Sequence, residues 1–305
     1  MEKIIGLPKG FNYYRDEVLY KNFFEKLGFK VLVSPDTNKQ TINEGSKYLV
    51  DEACLSIKIF MGHVAYLKDK CDYVLVPRIN SVKKRQKVCT NFTAIYDICK
   101  NVFPSVNFLD YNLDVNNRKY EKSGFIKMAK KLGCSKKNAR ESYLYAKKIQ
   151  CENYKKKMDE FTKKINSPAK IKILLVGHPY NINDSLIESD IKTYFESEDV
   201  LLLKSDIYNL DYDEACAKKI SSSIYWTYNR ELFSIVEKYK DKVDGIILLS
   251  MFPCGPDSLC NELIVRSIKN KPILTLIIDS VNSNAGLITR LESFIDIIKT
   301  RKDRK

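Results

Sequence analysis

Histidine and tryptophan are scarce in this chain of 305 residues, which has two of the former and one of the latter. No apolar run approaches the roughly 20 residues that a membrane span needs, so no contact with a membrane is expected. The opening Met1-Glu2-Lys3-Ile4-Ile5-Gly6 runs into a strand-like segment without the apolar stretch and small-residue cleavage site of a signal peptide, and a cytoplasmic protein is expected. Cys-x-x-Cys does not occur, which excludes ferredoxin-type and ribbon-type zinc spacing. A Gly-rich phosphate loop and an ATPase signature are also missing, so the chain is not itself read as a nucleotide hydrolase. No short-period repeat or low-complexity tract stands out.

Apolar residues make up 44% of the chain, enough for a sizeable core. The formal charge of +14 comes from lysines spread along polar helix faces, densest at Lys83-Lys84-Arg85, Lys155-Lys156-Lys157 and the tail. Aromatic residues do not interleave with the basic ones, and no nucleic-acid partner is expected. Nine cysteines, an odd number, argue for reduced thiols rather than a disulfide framework.

Strand and helix signals alternate twice along the chain. In residues 1–115, strands are expected at Lys3–Leu7, Phe29–Val33, Tyr73–Val76 and Val106–Leu109, with helices between them. Residues 116–168 are Lys-rich and helical in period, broken at Gly133, and read as a helical arm. Residues 169–305 restart the alternation, with strands at Lys172–Val176, Val200–Leu203, Gly245–Ser250 and Ile273–Ile278. A helix from Ser222 to Tyr239 carries Trp226. The fold class is α/β: two Rossmann-like (flavodoxin-like) parallel-sheet lobes joined by the arm.

Three cysteines share one property on this map. Cys54 and Cys89 each precede a helix, and Cys254 follows a strand and opens a helix in Phe252-Pro253-Cys254-Gly255-Pro256. Ligands of open parallel sheets gather at such strand ends. A helix N-terminus favours the thiolate, which is the form that binds metal. Cys71, Cys99, Cys134, Cys151 and Cys216 read as structural. Cys260 is a core cysteine or a fourth ligand. Three thiolates with water also suit zinc.

The segments Ile5-Gly6-Leu7-Pro8-Lys9, Glu52-Ala53-Cys54 with Lys58 and Gly62-His63, and Cys89-Thr90-Asn91-Phe92 carry a resemblance. So do Gly177-His178-Pro179-Tyr180-Asn181, Cys254-Gly255-Pro256-Asp257-Ser258, and Asp279-Ser280 leading to Ala285-Gly286-Leu287. Together they resemble the uncharacterised domain associated with acyl-CoA dehydratase activases, a branch of the 2-hydroxyacyl-CoA dehydratase superfamily. The resemblance implies a [4Fe-4S] cluster between the lobes, bound by Cys54, Cys89 and Cys254 with one iron open. It also implies an ATP-dependent activase partner, an acyl-CoA or small-molecule ligand, a homodimer, and low-potential electron transfer or dehydratase chemistry. A non-catalytic module that binds a cluster or an activase is the alternative.

His178, at a strand end, is the candidate catalytic acid or cluster donor, against a loop histidine bonded to backbone. His63, in mid-helix, reads as structural. Asp257 and Ser258 read as caps of the helix after Cys254. Asp279 and Arg290 are weaker candidates for ligand contact.

Overall fold

The computed structural model describes residues 3–169, 171–207, 212–279 and 284–304. In chain order the strands are β1 (Ile4–Leu7), β2 (Lys30–Val33), β3 (Tyr73–Leu75), β4 (Arg78–Ser81), β5 (Phe108–Leu109), β6 (Asn112–Asp114), β7 (Ile171–Val176), β8 (Val200–Lys204), β9 (Gly245–Met251) and β10 (Ile273–Ile278). The helices are α1 (Tyr13–Lys26), α2 (Lys39–Ser46), α3 (Leu55–Leu67), α4 (Asn91–Val102), α5 (Glu121–Lys131) and α6 (Lys136–Ile165). They continue with α7 (Pro179–Ile182), α8 (Ser185–Ser197), α9 (Glu214–Ile220), α10 (Thr227–Tyr239), α11 (Gly255–Ser267) and α12 (Asn284–Asp303). Among the described residues no helix is long and apolar enough to cross a membrane.

The chain divides into two compact units. One runs to Asn153 and takes in Tyr225–Thr227. The other holds Tyr154–Ile224 and the chain from Tyr228 onward. Each unit is a Rossmann-like α/β layer built on a four-stranded parallel sheet. The first sheet has the order β2-β1-β3-β5, and the second the order β10-β9-β7-β8. Numbered within its own unit, each sheet reads 2-1-3-4, the start of the flavodoxin-like order.

In the first unit β1 and β3 are the inner strands, with Ile5 and Val74 fully buried. Phe23 and Phe24 of α1 are fully buried, and Phe125 of α5 packs edge-on to Phe23 at 4.8 Å and against Tyr111 at 4.6 Å. The apolar face expected on the Lys-rich segment is therefore part of this core. The boundary between the units falls inside α6, after Asn153.

In the second unit β7 and β9 are the inner strands, and every residue of β9 is buried. A strand covered on both faces reads as a continuous apolar run, as this one does. Phe195 of α8, Phe233 of α10 and Ile295 of α12 fill the layers around it. Asp184 and Asp213 cap α8 and α9 by accepting from backbone N–H groups of the first turn.

Several elements differ from the sequence reading. β4 and β6 pair in parallel as a short ladder beyond β3 and β5. β4 is polar at three of its four positions and β6 at two of its three, so neither gives an apolar run. α9 was not expected. The helix expected from Ser222 starts at Thr227, because the backbone of Tyr225 and Thr227 bonds Lys87 instead: Lys87 N–H donates to Tyr225 O at 3.0 Å, and Thr227 N–H to Lys87 O at 2.8 Å. Trp226 sits in that bridge, outside the helix.

α2 and α3 cross at unusually short range. A Cβ added to Gly62 would lie 2.0 Å from the carbonyl oxygen of Thr41, and one added to Gly45 would lie 1.8 Å from that of Lys58. Backbone cannot step aside as a flexible side chain can, so overpacking here is costly. Gly62→Ala is expected to lower unfolding free energy by about 3 kcal/mol in urea titrations. Gly286→Ala, whose Cβ meets nothing within 4 Å, is the control with no loss. Equal stability of the two variants would refute the crossing as a constraint.

Candidate functional site

Strand order decides where ligands can gather. In the first unit the chain moves from β1 to β2 on one side and then returns to β3 on the other. In the second, β7 and β9 flank the same reversal. The crevice at such a switch point opens at the carboxyl ends of the strands. α3 ends where β3 begins, and α4 ends ahead of β5, so the N-termini of both helices lie along the carboxyl edge of the first sheet.

Cys54 is the N-cap residue of α3, with extended backbone (φ −63°, ψ 150°), and makes no capping bond through its side chain. Lys58, one turn on, donates from Nζ to the Asp51 carbonyl oxygen at 2.8 Å and ties down the loop that leads to the thiol. Cys89 stands two residues before α4. Asn91, the first residue of that helix, donates from Nδ2 to Cys54 Sγ at 3.6 Å. One amide thus links the two cysteine-bearing segments of this unit. Both thiols are half-buried.

Three phenylalanines support these helix starts. The Phe11 ring lies 5.2 Å from Phe60 of α3 and 4.7 Å from Phe92 of α4. Phe11 holds a left-handed backbone (φ 44°), a strained state for a bulky residue and one that concentrates at functional loops. The cavity beside the cluster measures about 20 Å³, too little for a substrate.

In the second unit, β7 ends at Gly177-His178 and β9 at Phe252-Pro253-Cys254. Cys254 is the N-cap residue of α11, with extended backbone and no capping bond through its side chain. Asp257, in the first turn, is only 4% exposed. It does not cap the helix as the sequence suggested. Its Oδ1 lies 2.9 Å from His178 Nε2 and accepts from Asn229 Nδ2 at 2.8 Å, and Cys254 also donates to it. Burial pushes the Asp257 carboxyl up. The charge that His178 carries when protonated and the bonds from His178, Asn229 and Cys254 outweigh burial and hold it below the usual carboxylate range. An ionised carboxylate only accepts, so Nε2 is the protonated nitrogen in the His178–Asp257 bond. The His178 ring is buried and stacks on Tyr180 at 5.2 Å.

The structure therefore joins Cys54 to the segment of Cys89 in one unit, and Cys254 to His178 in the other. Sequence reasoning missed Asn91, which it placed in a motif without a role, and Asn229 altogether. Asparagine at the first position of a helix following a cysteine was the available signal. Among the described residues no three His, Cys, Asp or Glu side chains are grouped as around a metal ion.

None of the nine cysteines is in a disulfide. Burial pushes the thiol of Cys71 up to about 11 and that of Cys260 up to about 12, and lifts Cys99 further. Cys260 is 1% exposed, the behaviour of a packing thiol. His63 is buried, with Nε2 3.0 Å from Thr37 Oγ1, and burial lowers its pKa to about 3, in keeping with a structural role. Arg290 donates to the Thr275 carbonyl oxygen at 2.5 Å. Ser280 lies outside the described residues.

The sequence model of one protein family, the CoA enzyme activase uncharacterised domain (DUF2229), matches residues 4–207. The chain belongs to that family. The match includes Cys54, Cys89, Asn91 and His178, and stops before Cys254 and Asp257. No curated protein matches. Among solved structures, the crystal structure of ZnuA is 9% identical and covers 98% of this chain and 99% of its own, at a TM-score of 0.29. A likeness that low carries no argument.

Because the native state holds the Asp257 carboxyl below its usual range, its contribution to stability is complete above about pH 4 and is lost as pH falls through the lower native value. Asp257→Asn is expected to reduce unfolding free energy at pH 6 by about 2 kcal/mol, the worth of charge-assisted bonds. It should also flatten the acid limb of the stability profile between about pH 5 and pH 2. Urea titrations across that range measure both, and an acid limb as steep as the parent's would show that the carboxyl is not held in this way.

Proposed function

We propose that this activase-family chain is an iron–sulfur protein resembling the 2-hydroxyacyl-CoA dehydratase subunits. It would hold a [4Fe-4S] cluster through Cys54 and Cys89 of the first unit and Cys254 of the second, and work with an ATP-dependent activase partner on an acyl-CoA or other small ligand. The observation that carries this reading is the Asn91–Cys54 contact. An amide directed at sulfur, between two thiols that both precede helix starts, is a donor arrangement suited to thiolate and sulfide acceptors. Bound, the cluster supplies single electrons at low potential and, with three protein ligands, one open iron able to act as a Lewis acid.

The chain's own residues have defined tasks in this reading. The first turns of α3 and α11 favour the thiolates of Cys54 and Cys254 through the positive end of the helix dipole. Lys58 fixes the loop in front of Cys54. Asn91 donates to the Cys54 sulfur. Cys254 gives up its proton to become a ligand, while His178 and Asn229 continue to hold the Asp257 carboxylate. The reading is supported by the state of the donor set: all three cysteines are half-buried and none is in a disulfide.

Anaerobic reconstitution with iron and sulfide is expected to load about four irons per chain and give Mössbauer and EPR spectra of a [4Fe-4S] centre. Cys54→Ala, Cys89→Ala and Cys254→Ala should each lose most of that iron, whereas Cys260→Ala keeps it. Full iron content in Cys254→Ala would overturn the ligand assignment. Asn91→Ala should load normally but shift the midpoint potential downward, because hydrogen bonds to cluster sulfurs raise it. An unchanged potential would remove Asn91 from the site.

A further inference from the structure

β8 is the outer strand of the second sheet, with β7 as its one strand neighbour among the described residues. Ser205 N–H donates to Leu175 O, on the β7 side. In a parallel ladder alternate residues bond to the same neighbour. Leu201 and Leu203 therefore turn their backbone groups toward β7, and Val200, Leu202 and Lys204 turn theirs outward. A row of such groups is a template for one more strand.

A groove of about 480 Å³ runs along this edge. All five residues of β8 line it. Successive strand residues point to opposite faces, so a groove touched by every one of them follows the edge rather than either face. The second half of α6 and part of α8 form its walls, and the half-buried Leu201 and Leu202 of β8 give apolar surface.

Charge on the walls is sorted. Lys204 pairs with Glu188 at 2.6 Å, and Lys157 with Asp206 at 3.7 Å. Glu160 and Lys164, both exposed on α6 and both lining the groove, form no ion pair with any described residue. They are one turn apart, about 6 Å along the helix. Side chains two positions apart on a strand are separated by about 6.6 Å. An extended segment with a basic residue and, two positions away, an acidic one would meet both.

We propose that this groove binds an extended peptide segment of a partner protein as a fifth strand on β8, read by its main chain and by one pair of opposite charges spaced i, i+2. The proposal is independent of any metal at the cysteines. Proline at position 202 removes an outward N–H and leaves the ladder to β7 intact.

The test uses the full chain and a phage-displayed library of random seven-residue peptides. Selection is expected to enrich sequences that alternate apolar and polar residues and carry opposite charges two positions apart. Synthetic versions should bind Leu202→Pro at least tenfold more weakly than the parent. On a double variant, Glu160→Lys with Lys164→Glu, selection should enrich the reversed charge order, which keeps the test decisive if the proline variant does not fold. No enrichment, or enriched peptides whose binding ignores both changes, would overturn the proposal.

Discussion

A parallel strand can be followed by its neighbour only after the chain has crossed back over the sheet, and the crossing is a helix running the opposite way. Every helix that feeds the next strand therefore starts near the carboxyl edge it has just left. This constraint places the chemistry of the molecule. α3, α4 and α11 all begin on such edges, and each is preceded by a cysteine. The unpaired N–H groups and partial positive charge of a helix start then act on a side chain that the fold has delivered there for topological reasons. Because both units use the same strand order, they offer the same kind of crevice, with thiols of the first unit and the Cys254–Asp257–His178 group of the second at equivalent edges.

Holding a thiol at such an edge needs a stiff loop. In the first unit the stiffness comes from the short-range crossing of α2 and α3, where two glycines let backbone meet backbone. The Asp51–Cys54 segment follows from that crossing and is secured by Lys58. Phe11, in its left-handed conformation, wedges between Phe60 and Phe92 and sets the spacing of α3 and α4 under the two cysteines. The strain at Phe11 is balanced by the burial of its ring, which is 5% exposed.

The main strands were legible because buried parallel strands are apolar runs, and Gly245–Met251 is the plainest case. The paired helix signals were legible for a similar reason, through their 3.6-residue period. The ladder of β4 with β6 was not, because Arg78, Asn80 and Asn112 break the apolar pattern: Arg78 bonds Asp97 of α4, and Asn80 bonds Asp114 across the ladder itself. Asp257 was misread for an instructive reason. An acid in the first turn of a helix ordinarily caps or faces water, and only a histidine 79 residues earlier reveals that this one is buried in a network. The candidate thiols could be picked out by their positions before helices. That Asn91 reaches Cys54 across 37 residues could not be read from spacing at all.

The family match ends at residue 207, which falls just after β8. Taken as a physical object, that stretch stops in the middle of a sheet. β7 is an inner strand whose second neighbour is β9, paired from Ile173–Gly245 to Val176–Leu248, and Leu174 and Leu175 are fully buried with β9 in place. Without β9 these residues would present an unpaired edge and bare apolar faces, a state folded proteins avoid. The second unit is therefore cooperative across the end of the match, and the residues beyond it complete the layer on which His178 stands. Asp257, on the far side of that boundary, is the partner that orients His178, so the role of a histidine inside the matched segment is set by a carboxylate outside it.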